Sequence, residues 1–429
     1  MSLDKVPKLS PQVKVLMYLF GFVYFSQGIA QFSGLMSQPL TFYFKEVLGF
    51  AADEATNYLA VLTIPWVIKP LYGLISDFVP LLGYRRKSWL IAMNGMAAIA
   101  FLWLTGLTEA NQIVLAMTIT AIGTAASDVI IDALMVEKGQ KYGITERIQS
   151  TQWLWFNIAA IGTSLLGGWL IDSLGAESAL RTAAFITMVA PAAVVVSVWF
   201  LLKEEKVKMN KAQVSGTVQG LWQSVRNLTL WAVMFFIIFW EFSPSLGTPF
   251  FYHMIDNLGF TQKFIGTLGA VGSVGSVAGA WLYGFYFSRK TLRFQLVFSI
   301  ITGTIGTLAY LMLMEPSALA GEIALGLSMV FGATGMIATL TVLTLAAQVC
   351  PPKAEGFTFS VLMSVKNGAA QLSAILGAWL FVNVFANTLT PLVWVSALAT
   401  LSCLVLLPLL RGVKDSHGVN NEDEDTPST

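Results

Sequence analysis

The sequence predicts an all-α integral membrane protein of twelve transmembrane helices, arranged as two six-helix parallel repeats. Three observations predict it. Hydrophobic residues make up 55% of the 429-residue chain and charged residues 11%, with a mean hydropathy of +0.69. A soluble domain carries about 25% charged residues. Apolar stretches of the length that crosses a bilayer, about 20 residues of helix, recur twelve times. The second half also repeats part of the first.

In chain order the stretches are 15–37, 57–79, 88–107, 112–136, 149–172, 182–202, 229–252, 262–285, 293–313, 319–349, 357–384 and 391–410. The first follows Lys5, Lys8 and Lys14. It is too long for a signal-peptide core and no small-residue cleavage site follows, so it reads as a span. No Arg/Ser-rich transit segment precedes it. Lys203, Lys206, Lys208, Lys211 and Arg226 break the apolar pattern at the midpoint, and the last residues are acidic and polar, a composition that cannot bury a core. The expected organisation is a cytoplasmic segment 1–14, a bundle 15–202, a cytoplasmic linker 203–228, a bundle 229–410 and a disordered cytoplasmic tail 411–429.

Lysine and arginine fix the orientation. With the N-terminus inside, 20 of the 25 fall on the cytoplasmic side; Lys45, Arg181 and Lys263 fall outside, and Lys69 and Lys366 are embedded. That bias follows the positive-inside rule and places both termini in the cytoplasm, in the cell (inner) membrane. The repeat appears on a shift of 210 residues: Ser150, Asn157, Ala159, Ala160, Leu166, Gly167, Trp169 and Leu170 align with Ser360, Asn367, Ala369, Ala370, Leu376, Gly377, Trp379 and Leu380. The copies share one orientation, so they are parallel repeats. Two such halves joined by a cytoplasmic linker are the plan of the major facilitator superfamily. A shared small-residue packing face on two unrelated helices is the competing explanation. Gly266, Gly269, Gly272, Gly275 and Gly279 thin one region of the eighth stretch, where close helix packing is the default reading.

Five ionisable residues sit inside the stretches: Lys69, Asp128, Asp132, Glu241 and Lys366. A charge in hydrocarbon is costly and marks a functional candidate. Lys69 lies eight residues before Asp77, and Asp128 nine before Glu137. At the helical rise both lie roughly 12–14 Å from the cytoplasmic edge. Glu241 and Lys366 are each eleven residues past the start of an outward-running helix, roughly 16 Å in. Each half thus holds one acid–base pair at matched depth, readable as mutual neutralisation, as substrate ligands, or as both. Asp128 and Asp132, four apart, share a helix face. Two carboxylates that close rarely both ionise, which makes them a candidate proton site; a cap on a neighbouring helix or a loop-arginine partner is the competing reading for Asp132. Trp66, Tyr72, Trp153, Trp155, Phe156 and Trp240 crowd the same depths, with packing as the default for any one. Gln27, Gln31, Asn94, Asn157, Asn367 and Gln371 add amides, some of them interhelical glue.

Several classes are excluded. Two cysteines rule out a disulfide framework or cysteine metal cluster, and no cofactor is implied. With His253 near the outer surface and His417 in the tail, a serine–histidine enzyme has no base in the membrane. An intramembrane aspartyl protease needs aspartates on two spans, and here both lie on one. The net charge of +1 gives no reason to expect nucleic acid.

At this point a family resemblance emerges. PWVIKPLYGLISDFVPLLGYRRK at 65–87, ASDVIIDALMVE at 126–137 and IQSTQWLWFNIAAIG at 148–162 resemble the folate-biopterin transporter family, a branch of the major facilitator superfamily found in cyanobacteria, plastids and trypanosomatid parasites. The likeness is close in the N-terminal half and looser in the C-terminal half, through VKNGAAQ at 365–371. Compact length without a transit peptide looks like a cyanobacterial member. Gly73, Asp77 and Gly83-Tyr84-Arg85-Arg86 resemble the superfamily's loop between spans two and three, with a longer aspartate-to-glycine spacing, and imply a cytoplasmic latch of Asp77, Arg85 and Arg86. Leu180 to Phe185 resembles the superfamily's start of span six. The resemblance implies a monomeric carrier of folate or a simpler pterin with protons, with spans 1, 4, 7 and 10 lining the path. Checked against pterin chemistry, a carboxylate of Asp128 or Glu241 accepts the 2-amino group and ring N–H bidentately, and Trp66 or Trp153 stacks on the ring. Lys69 or Lys366 takes the carboxylates of a glutamate tail, so composition leans to folate. Gln27, Asn157 and Asn367 complete the substrate set, and Asp128 with Asp132 takes the proton. The alternatives are a carrier of muropeptides or acyl-thioesters, and a receptor that has lost transport.

Overall fold

The computed structural model describes residues 11–142, 145–206, 228–287, 290–350 and 355–413. The fold is all-α. In the N-terminal half the helices are α1 (Pro11–Ala30), α2 (Ser37–Glu46), α3 (Ala52–Val61), α4 (Ile64–Val67), α5 (Lys69–Phe78), α6 (Lys87–Leu104), α7 (Ala110–Tyr142) and α8 (Thr145–Leu201). The C-terminal half holds α9 (Leu228–Glu241), α10 (Gly247–Asp256), α11 (Gln262–Phe285), α12 (Leu292–Ala309), α13 (Ala320–Gln348), α14 (Glu355–Trp379) and α15 (Leu389–Leu406). Eight helices among the described residues are long and apolar enough to cross a membrane. The longest, α8, is two passes joined at Gly175, whose φ of 76° and ψ of 167° turn the chain where a side chain would be strained. Two of the remaining expected passes run as shorter pieces, α3–α4–α5 and α9–α10, and the third is α14 continued by the π-helical turn Leu380–Val384.

The internal repeat extends to helix boundaries. Helices start at Ala52 and Gln262 and at Ala110 and Ala320, each pair offset by the same 210 residues as the sequence repeat. The first pass of each half breaks at corresponding places, after Ala30 and after Glu241. At the first break Gly34 folds onto its own helix, where a Cβ would lie 2.4 Å from the Ile29 carbonyl. A non-helical backbone is tolerated at membrane depth only where protein encloses it. The second break is enclosed: Ser245 N donates to the Ser373 carbonyl at 3.1 Å, and the Ser243 hydroxyl is 2.9 Å from that of Ser396.

Several expected boundaries move. The chain is already helical at Pro11, inside the segment expected to precede the first span, and helix resumes at Ser37–Glu46 where a loop was expected. The second pass starts at Ala52 rather than 57, and the sixth follows directly on Gly175 rather than at 182. These ends are polar, so hydropathy cuts them short. At Ser37–Glu46 and Ala52 the polar groups meet the other half, through Gln38, Lys45 and Asp53, and Arg181 pairs with Glu177 one turn back on its own helix.

The core shows how the halves sit. Call the face carrying Pro11 and Val413 the near face and its opposite the far face. At the far face one apolar cluster joins both halves, with Leu40, Tyr43, Phe44, Ala55 and Leu62 packed with Tyr252, Phe381, Leu389 and Leu392. At the near face the clusters are separate. Phe20, Leu90, Ile131 and Val198 belong to one, and Val233, Phe236, Leu296 and Leu345 to the other. The far face is also sealed by polar ties across the halves: Lys45–Asp256 at 2.7 Å, Tyr252 donating to the Phe50 carbonyl at 2.8 Å, Asn383 to Asp53 at 3.0 Å, and Gln38 to the Gln262 carbonyl at 2.6 Å.

On the near face, Glu204 fastens the chain leaving α8 to the start of α6. Its carboxylate accepts from the amides of Arg85 and Arg86 at 3.1 Å and of Lys87 at 2.7 Å. These are amides that a helix start leaves without intrahelical partners. Glu204→Ala exposes them and costs about 1–2 kcal/mol. The expected outcome is a melting temperature a few degrees lower in detergent-solubilised protein, with Glu204→Gln recovering part of the loss. Equal melting of wild type and Glu204→Ala would show that the clasp contributes nothing.

Candidate functional site

The second pass is where local sequence and site chemistry meet. Pro65 and Pro70 stand at the starts of α4 and α5, positions a proline tolerates. They split the pass into three pieces and put Lys69 on the first residue of α5. Its ammonium reaches Asp128 Oδ2 of α7 at 2.6 Å, and the Trp66 ring lies under it, 4.5 Å from Nζ to the centroid. In the other half, Lys366 Nζ of α14 lies 3.1 Å from Glu241 Oε1, the last residue of α9. Depth counted along the helices had matched these partners, and the structure closes both pairs. The side chains are largely withdrawn from solvent, 17% and 10% exposed for Lys69 and Asp128, and 21% and 18% for Lys366 and Glu241.

Both pairs sit at helix breaks, and in both the charge at the break opposes the helix dipole. Lys69 is at the positive N-terminal end of α5, and Glu241 at the negative C-terminal end of α9. Each charge therefore depends on its partner more than one in mid-helix would. The two layers touch. Asn367, next to Lys366, donates from Nδ2 to the Trp66 carbonyl at 3.3 Å, and an added Cβ at Gly368 would lie 3.8 Å from Val67.

Asp132 has a partner that neither the helix-cap nor the loop-arginine reading named. It accepts a hydrogen bond from the Tyr24 hydroxyl of α1, and not from a loop arginine or a helix terminus. Tyr24 was not singled out in the sequence. A tyrosine in an apolar run gives no sign of its partner until the rotation of two helices is known. Gln27 is buried; its Oε1 receives Gln31 Nε2 at 3.4 Å, while its own Nε2 has no protein partner. The same is true of Nε2 of Gln152 on α8, which sequence reading passed over, and of the Tyr72 hydroxyl on α5. Asn157 donates to the Trp153 carbonyl one turn back at 2.8 Å. The Trp153 ring meets Phe156 edge-on at 5.6 Å and is 40% exposed. Trp155 packs against α1, where a Cβ at Gly21 would meet it at 2.6 Å, and Trp240 packs on Phe236.

At the near face, Arg86 is buried and donates from Nη1 to the Ser76 hydroxyl at 2.9 Å. Burial works against charge on Glu137, but a hydrogen bond from Lys138 and the cations of Lys138, Arg86 and Arg85 hold its carboxyl below the usual carboxylate range. The side chain of Asp77 lies outside the described residues. His253 is buried in α10 and bonds the Leu313 carbonyl at 2.8 Å. Among the described residues no group of His, Cys, Asp or Glu could hold a metal ion.

The fold matches that of solved membrane carriers. The chain superposes on the nucleoside transporter NupG with a TM-score of 0.70 at 15% identity, covering 92% of this chain and 99% of that one. It superposes on a D-xylose-proton symporter with a TM-score of 0.66 at 13% identity, covering 94% and 98%. The protein is a multi-pass membrane carrier of the major facilitator fold. The chain belongs to the BT1 family, whose model matches residues 27–429. It is 33% identical to a folate-biopterin transporter of Synechocystis over 94% of this chain and 83% of that one. It is also 24% identical to a probable folate-biopterin transporter of Arabidopsis thaliana (85% and 88%) and 23% identical to a folate transporter of Plasmodium falciparum (85% and 79%). With transporters for relatives and fold neighbours, the chain is a transporter and not an enzyme.

Proposed function

We propose that the protein is a secondary active carrier of folate or a related pterin, coupled to protons and working by alternating access as a monomer in the cell (inner) membrane, with both termini cytoplasmic. The observation that carries this reading is the pair of opposite-charge contacts, Lys69–Asp128 and Glu241–Lys366, one per half, each at a helix break. They supply what folate needs. A carboxylate of Asp128 or Glu241 accepts two N–H groups from a pterin edge, and the ammonium freed from the same pair takes a glutamate-tail carboxylate. The pairs thus serve as placeholders that the substrate exchanges. Trp66 and Trp153 offer ring faces, and Gln27, Asn157 and Asn367 offer amides. Asp128 and Asp132, one turn apart, take up the proton, and the Tyr24 hydroxyl donates to Asp132. The joined far face and separate near-face clusters correspond to an inward-facing state. Asp77, Arg85 and Arg86 act as a latch on the near face.

The test is uptake of radiolabelled folic acid into proteoliposomes, with and without an inward proton gradient, competed by biopterin. Gradient-stimulated folate uptake is expected. Absence of both folate and biopterin uptake would overturn the pterin reading and move the substrate to other organic solutes such as muropeptides or acyl-thioesters.

A further inference from the structure

Asn367 has a role that substrate contact alone does not explain. In an unbroken helix the Trp66 carbonyl accepts from the amide of residue 70. That residue is Pro70, which has no N–H. The freed carbonyl instead receives Nδ2 of Asn367, from the opposite half, at 3.3 Å. The other polar ties between halves named above lie at the far ends of the helices. This one lies at the level of the ion pairs. The Trp66 ring supports Lys69, and Lys366 precedes Asn367, so one hydrogen bond joins the two charged layers.

We propose that Asn367 is a positioning residue that couples the charged layer to closure of the far face. While the halves are joined there, Asn367 satisfies the carbonyl that Pro70 leaves open. When the halves part, the bond breaks and the α4–α5 junction is free to readjust around Lys69. A substrate that displaces Trp66 or Lys69 acts on the same bond. The inference deepens the carrier reading and rests on it.

The test uses the full chain with Cys350→Ser and Cys403→Ser, and one reporter, Ala55→Cys, placed in the apolar cluster that seals the far face. A membrane-impermeant maleimide reaches this site only when the halves part there. Asn367→Ala, and the near-isosteric Asn367→Leu, are expected to raise the labelling rate about tenfold, the size of one hydrogen bond to a buried carbonyl. With Pro70→Ala the amide returns and closes the helical bond to Trp66. In that background Asn367→Ala should change labelling less than twofold. An unchanged rate in both Asn367 variants, or an equal effect with and without Pro70, overturns the proposal. The assay needs no substrate. Labelling that shifts without folate uptake would overturn the pterin reading alone, and folate uptake with unmoved labelling would overturn this inference alone.

Discussion

Asp128→Asn is expected to cut transport about 100-fold or more while the protein still reaches the membrane. The substitution keeps size and removes the charge facing Lys69 Nζ at 2.6 Å. Breaking a buried ion pair by removing one member costs about 3–5 kcal/mol, because the remaining charge has no counter-ion. Here the helix dipole adds to the cost, since Lys69 sits on the positive end of α5. A factor of ten per 1.4 kcal/mol gives the expected loss, about 100-fold or greater. A purely structural pair would behave the same way in the single mutant, so the double neutral variant decides. Lys69→Met with Asp128→Leu removes both charges and restores stability, since apolar replacement of a buried pair is often neutral or better. If the pair serves the substrate, the double variant melts like wild type yet carries nothing. Recovery of uptake in the double variant would reduce the pair to a structural element. The same comparison applies to Glu241 and Lys366, whose contact is longer at 3.1 Å.

Gly266→Val and Gly275→Val, nine residues apart on one helix, are expected to fail in different ways. At Gly266 a Cβ would lie 2.3 Å from the Ser164 carbonyl of α8, in the other half. At Gly275 it would lie 2.2 Å from the Met329 carbonyl of α13, in the same half. Neither neighbour is a flexible side-chain tip, so backbone must move in both. The second change forces apart two helices of one bundle and costs about 1–3 kcal/mol or more. It is expected to lower the melting temperature and the amount of protein in the membrane. The first pushes the halves apart at the far face and leaves each bundle intact. It is expected to keep a near-normal melting temperature, abolish uptake and raise far-face maleimide labelling. Matching losses of fold in both variants would show that the α8–α11 contact belongs to the folded core and not to a gate.

The glycine stripe is thus one sequence feature with two structural meanings. Gly266 and Gly269 face Ser164 across the halves, whereas Gly275 and Gly279 face α13 within one half. Spacing alone shows that something approaches closely, and it cannot say which helix does. Similar reasoning separates the charged residues. Lys69 with Asp128 and Glu241 with Lys366 were readable as partners because helical rise converts residue number into depth, and hydrocarbon forces charges at one depth to meet. The bond from Tyr24 to Asp132 was not readable, since it depends on rotation about two helix axes. Pro70 announces a missing N–H, but the donor that replaces it lies about 300 residues away on α14.

The sequence by itself determined the all-α membrane class, the approximate passes, the parallel repeat and the depth of each embedded charge. All of these follow from hydropathy, the helical rise and the cost of charge in lipid, which act locally along the chain. The tertiary structure decided where passes break, which helix faces pair, and that the halves are joined at the far face but separate at the near one. Those features depend on how helices distant in sequence are rotated and set against one another. Such contacts are stabilised by side chains whose partners no local pattern specifies.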